Sequence, residues 1–148
     1  MKPNGVIQRK LALLDDQVLQ LGRHLQEVSL EQFGDDWVLR SMAERALQVA
    51  IEIVIDIAER LIARAGAGPA ATAAEAVRKC VQLGILSAEQ PYARMVGYRN
   101  LIVHEYERID PELTYILATQ KLSDFRLFRD EIDRWIVTAN EDEKRQEQ

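Results

Sequence analysis

Ala46-Leu47-Gln48-Val49-Ala50-Ile51-Glu52-Ile53-Val54-Ile55-Asp56-Ile57-Ala58-Glu59-Arg60-Leu61-Ile62 is the most apolar stretch of the chain, with 12 of its 17 residues hydrophobic. Arg45, Gln48, Glu52, Asp56 and Glu59 recur at three- and four-residue steps, the spacing of one helix face. The segment is therefore a helix with a single narrow polar stripe. Its apolar surface exceeds what one core-facing stripe needs, so it is either central in a bundle or shared with a second subunit. The charges within it argue against a membrane span.

Turn signals cut the remainder into helices, and nothing reads as strand. Leu11, Leu14, Val18, Leu21 and Leu25 mark a first helix from about Val6 to Val28. Gly34 and the Asp35-Asp36 pair open the second, which stops at Gly66-Ala67-Gly68-Pro69. Thr72 with Glu75, and Ser87 with Gln90, have capping-box spacing and predict a short third helix, ending at Gly84, and a fourth. Asp110-Pro111 starts a fifth that runs to about Ala139. The expected fold is all-α, a bundle of about five helices with helices two and five long. Residues 1–140 form one domain and 141–148 a polar, frayed tail.

Composition narrows the function. A net charge of −5 argues against a general nucleic-acid binder, although Arg94, Arg99 and Arg108 bracket His104 as a local basic site. Met1-Lys2-Pro3-Asn4-Gly5 lacks the apolar core of a signal peptide, so the expected location is cytoplasmic. The single cysteine, Cys80, lies in a helical pattern beside Val77 and Val81 and reads as a small buried hydrophobe. His24 and His104 are the only histidines, with no ligand cluster around either, so no metal site is expected.

The chemistry concentrates in Arg99-Asn100-Leu101-Ile102-Val103-His104-Glu105-Tyr106. On a helix Asn100 and His104 share one face, while Arg99 lies about 140° and about 7.5 Å from His104, within reach of a common ligand. Arginine offers a charged fork for phosphate oxygens, and histidine titrates near neutral pH as an acid/base must. The same residues also suit a solvated helix end beside the negative pole of its dipole. Tyr106 shares a side with His104 if the helix ends there and points away if it continues; an exposed hydroxyl is modifiable, a packed one structural. Gly97 in mid-helix costs about 1 kcal/mol relative to alanine, which a close helix–helix approach would justify.

Arg99, Asn100, His104 and Tyr106 match R-N-x3-H-x-Y, and the chain resembles HEPN-domain proteins, most closely the HepT toxin group. The resemblance takes in the helix around Glu44–Ala50, Met95–Asn100 leading into the motif and Ile109-Asp110-Pro111 leaving it, and covers roughly residues 6 to 138. It implies a HEPN-type bundle and the toxin of a type VII-like toxin–antitoxin pair. The implied activity is metal-independent endoribonuclease, with His104 moving a proton, Arg99 stabilising phosphoryl charge and Asn100 orienting His104 or the phosphate. It further implies control by a minimal nucleotidyltransferase antitoxin that adenylylates Tyr106. A homodimer is implied too, with Arg45 and Gln48 lining the cleft or forming a structural polar network. The competing expectation is a non-catalytic HEPN interaction or nucleotide-binding module; a protein that is only a nucleotidyltransferase substrate is a third.

Overall fold

A computed structural model describes residues 3–147; Met1, Lys2 and Gln148, the ends of the N-terminal segment and of the polar tail, lie outside it. All regular structure among the described residues is helical. The order is α1 (Pro3–Leu25), α2 (Leu30–Asp35), α3 (Trp37–Arg64), α4 (Ala73–Gln82), α5 (Tyr92–His104), a 3-10 turn (Tyr106–Arg108), α6 (Pro111–Thr119) and α7 (Ser123–Gln146). No helix of the described residues is long and apolar enough to cross a membrane.

The apolar excess of the second expected helix, now α3, has a direct cause. α3 packs against α1, α2, α4, α5 and α6 and so has almost no solvent face along its middle. Leu47, Ile51, Ile57 and Ile62 are fully enclosed, and Leu11, Leu14 and Leu21 of α1 meet the same core. Asp36 caps α3, its carboxylate accepting the Leu39 N–H at 3.1 Å. The helix ends at Arg64, and just past its cap Gly66 takes a φ of 71°, which favours glycine.

Two divisions depart from the expected five helices. Ser29 and Gln32 form a reciprocal capping box that opens the short α2. Its Phe33 is fully buried, with its ring 5.4 Å from that of Tyr115. The expected fifth helix is broken between Thr119 and Ser123. Leu117, Leu122 and Phe125 stay buried across the break, so the apolar pattern runs through it uninterrupted. Helix α7 also continues past Ala139 to Gln146, as an exposed helical extension where a frayed tail was expected.

The start of α5 differs from expectation as well. Ser87 does not cap it, and Pro91 precedes its first residue without a side-chain cap. Ser87 instead donates to buried Glu131 of α7, through its N–H at 3.1 Å and through its hydroxyl. The Tyr92 hydroxyl donates to the other oxygen of the same carboxylate. This cluster fixes where α5 begins, and hence where its far end delivers the polar motif.

Candidate functional site

Helix α5 is buried over its first half, through Tyr92, Met95, Val96 and Tyr98, and emerges as it reaches Arg99–His104. The Tyr98 hydroxyl lies 2.8 Å from the buried Thr114 Oγ1, tying this half to α6. On another side of the helix, Gly97, Asn100, Leu101 and His104 follow the helical three- and four-residue rhythm and line one wall of an open cleft of about 700 Å³. Arg99 lines the same cleft, so the structure brings all three expected site residues together.

The first turn of α4 and the residues before it, Ala71–Ala74, form the facing wall. Thr72 Oγ1 accepts the Glu75 N–H at 3.1 Å, while the Glu75 carboxylate reaches the Ala71 N–H at 2.7 Å rather than that of Thr72. A helix N-terminus carries partial positive charge, so this wall favours an anion. Glu59 and Glu105 line the cleft too and oppose that field.

Arg99 is held from two sides. Its Nη1 donates to Asn100 Oδ1 at 3.1 Å, and its Nε lies 3.1 Å from Glu52 Oε1 of α3. The Nε contact is an ion pair without a hydrogen bond, because the buried Nε–H is not aimed at the oxygen. The polar stripe of α3 thus supplies Glu52, a positioning partner for Arg99 that the sequence displays but does not match to it. Arg94 and Arg108 are also paired, with Asp124 at 3.9 Å and Glu105 at 3.2 Å, so the basic bracket around His104 is largely neutralised within the chain.

Three other expectations bear on this region, and one of them, the close helix approach at Gly97, changes. Arg45 and Gln48 do not line this cleft of the single chain; Arg45 Nη1 donates to Gln48 Oε1 at 3.4 Å, a contact in keeping with the structural polar network that was the alternative to a place in a dimer cleft. The cleft meets α3 at Glu59, about 16 Å farther along the helix axis than Gln48. Gly97 makes no close helix approach within the chain: a Cβ there would meet nothing within 4 Å and would project beside the cleft. His24 is exposed, its Nδ1 2.9 Å from the Gln20 carbonyl oxygen.

Tyr106 stands apart from the cleft. Helix α5 ends at His104, Glu105 turns the chain with φ −142° and ψ 50°, and Tyr106 begins the 3-10 turn. Its side chain is 58% exposed, and its hydroxyl donates to Glu44 Oε2 of α3 at 3.0 Å. That hydrogen bond and the Glu44 charge push the phenol above its ordinary range, against a smaller opposing pull from Arg40. Glu44 is a second partner that periodicity alone could not assign.

Burial pushes the Cys80 thiol up to about 12, which leaves it protonated and inert at neutral pH. Among the described residues no three His, Cys, Asp or Glu side chains are grouped to hold a metal ion.

Comparison with known proteins converges on one group. The chain is 26% identical over 138 residues to the tRNA nuclease HepT of Aphanizomenon flos-aquae (strain 2012/KM1/D3), covering 88% of this chain and 94% of the relative. Its fold matches a toxin–antitoxin crystallised with AMP-PNP, at a TM-score of 0.82, 23% identity and coverage of 88% of this chain and 99% of that one. It also matches a tri-AMPylated Shewanella oneidensis HEPN toxin in complex with MNT antitoxin, at a TM-score of 0.80, 24% identity and coverage of 87% and 97%. The all-α bundle is thus of the HEPN type. Residues 14–132, most of the chain and all of the cleft, match the model of the HepT-like ribonucleases, and the chain belongs to that family.

Proposed function

We propose that this protein is the toxin of a toxin–antitoxin pair, a metal-independent endoribonuclease acting from the Arg99–Asn100–His104 cleft. The observation that carries the reading is the placement of these three residues on one cleft opposite a helix N-terminus, in a HepT-like ribonuclease. RNA holds its own nucleophile. His104 removes the 2′-hydroxyl proton as that oxygen attacks the adjacent phosphorus, and the 5′-oxygen leaves with a proton. Arg99 stabilises the charge gathering on the phosphoryl oxygens, and Asn100 and Glu52 keep its guanidinium in place. In a homodimer the His104 of a second copy supplies the leaving-group proton. The name of the Aphanizomenon relative makes tRNA the first substrate to test.

Control comes from a partner nucleotidyltransferase of the MNT type that adenylylates Tyr106. The exposed hydroxyl, two residues beyond His104, supports this reading. Anionic nucleotides added there repel RNA from the neighbouring cleft. RNA and a triphosphate-using partner point to the cytoplasm.

Cleavage of tRNA by the purified protein in EDTA, lost in His104→Ala, is the test. Pairing of Arg94, Arg99 and Arg108 with carboxylates favours the other reading, a non-catalytic interaction module. Absence of cleavage by the folded wild type would select it.

A further inference from the structure

Tyr106 and Glu44 are 62 residues apart in sequence, yet the phenol hydroxyl donates directly to the Glu44 carboxylate at 3.0 Å. The pair is open to solvent on the tyrosine side, where a partner's active site can reach the oxygen. A neutral phenol is a weak nucleophile, and its attack on phosphorus needs the proton removed as the new bond forms. A base must lie about 2.6–3.2 Å from that proton's oxygen, and Glu44 does. The other groups that sense the pair are unsuited to the task. Arg40, whose Nη1 donates to the Gly34 carbonyl, is a permanent cation. Tyr98 is buried with its hydroxyl on Thr114.

We propose that Glu44 is the general base for the modification of this chain's own Tyr106, so that the substrate protein brings to the reaction the group that activates its acceptor. The proposal rests on the reading of Tyr106 as the adenylylated residue. The partner supplies the nucleoside triphosphate. As Tyr106 Oη closes on the α-phosphorus, the Oη–H proton passes to Glu44 Oε2 and the Oη–P bond forms. The bond from the α-phosphorus to the oxygen bridging it to the β-phosphate breaks, and pyrophosphate leaves. Glu44 then releases the proton to water. No net oxidation occurs, and the products are the tyrosyl adenylate, pyrophosphate and one proton.

Glu44→Gln keeps the side-chain length and a hydrogen-bond acceptor but cannot take a proton. Wild type, Glu44→Gln, Glu44→Asp and Tyr106→Phe are each incubated with the partner nucleotidyltransferase, ATP and magnesium across pH 6 to 9.5. The first addition is followed by intact mass and the adduct mapped by peptide. The wild-type rate should be nearly level with pH. Glu44→Gln should be slower by about 10²–10⁴-fold at neutral pH and should climb with pH as phenolate forms. Glu44→Asp, which keeps a base on a shorter arm, should retain the level profile. A wild-type adduct that maps elsewhere, or that persists in Tyr106→Phe, defeats the acceptor reading itself. An adduct on Tyr106 that forms as fast in Glu44→Gln as in wild type overturns only the role of Glu44. So does a slowing by one constant factor at every pH, which would mean that Glu44 merely holds the ring.

Discussion

Two tyrosine–glutamate pairs bracket α5, and burial gives them opposite characters. At the start, Tyr92 donates to Glu131, which is 6% exposed and accepts from the Ser87 N–H and hydroxyl as well. At the end, Tyr106 donates to Glu44 with its ring in solvent. Around Glu131 three donors satisfy one carboxylate in an apolar surround, and the Tyr92 ring packs edge-on against Phe128 at 5.6 Å. Such a group cannot react without first breaking the fold. Around Tyr106 one hydrogen bond is exchanged for another with water at little cost, so the same two functional groups remain available for chemistry. The helix between them shares this polarity, anchored at Tyr92 and exposed at His104.

The sharpest way to break this division is at the exposed end of α5. His104→Ala and Arg99→Ala should each cut RNA cleavage by about 10²–10⁴-fold, with the double mutant no worse than the weaker single mutant by more than a small factor. Their thermal melts should match wild type, because both side chains sit at the cleft rather than in the core. Full activity in His104→Ala would end the proposed mechanism. The anchored end should respond in the reverse sense. Glu131→Ala leaves the Ser87 and Tyr92 donors without their acceptor and should cost about 3 kcal/mol or more, seen in urea unfolding. Specific activity of the fraction still folded should hold; a stable Glu131→Ala protein would remove the anchor argument.

What the sequence made legible lies along the same line between periodic burial and paired contact. The all-α class and the cores of α1 and α3 are written in three- and four-residue steps, and Leu11, Leu14, Leu21 and Leu47 are buried accordingly. Asp36, Thr72 and Asp110 cap the helices they were expected to open. The Thr119–Ser123 break carries no glycine, no proline and no side-chain cap, so it left no local signal. Helix α2 did leave one, the Ser29–Gln32 box, but its six residues are too few for periodicity to reveal. At the site, Asn100 and His104 share a wall by helical arithmetic alone. The partners Glu52 and Glu44 come from the tertiary packing that lays α5 and the 3-10 turn beside α3, which no local pattern encodes. The Ser87–Gln90 spacing misled for a related reason: Glu131, 44 residues away, competed successfully for the serine.

A smaller effect separates the two tyrosines by pH. Burial, then the Glu131 hydrogen bond and charge, push the Tyr92 phenol well above its ordinary value of 10.0. The folded chain therefore keeps a proton that the unfolded chain releases. The stability this contributes is complete below about pH 10 and is lost as pH rises beyond it. Unfolding measured at pH 8 and pH 10.5 should show an alkaline loss in wild type that Tyr92→Phe reduces. Equal losses in both proteins would mean that some other group titrates.

The smallest expected effect is at Tyr106, and there a near-null result is the informative one. Tyr106→Phe keeps the ring and removes an exposed hydroxyl that donates to Glu44. Changes of this kind stay within about 0.5 kcal/mol, and the melting temperature should barely move. Because the hydroxyl lies outside the cleft, RNA cleavage should also persist. What should vanish is silencing by modification: co-expressed with the nucleotidyltransferase and ATP, the variant should remain toxic unless the partner also inhibits by binding. Purification away from the partner distinguishes these, since an adduct survives it and a complex does not. If Tyr106→Phe instead lost several kcal/mol, the exposed pair would be an anchor like the buried one. The contrast between the two ends of α5 would then fail.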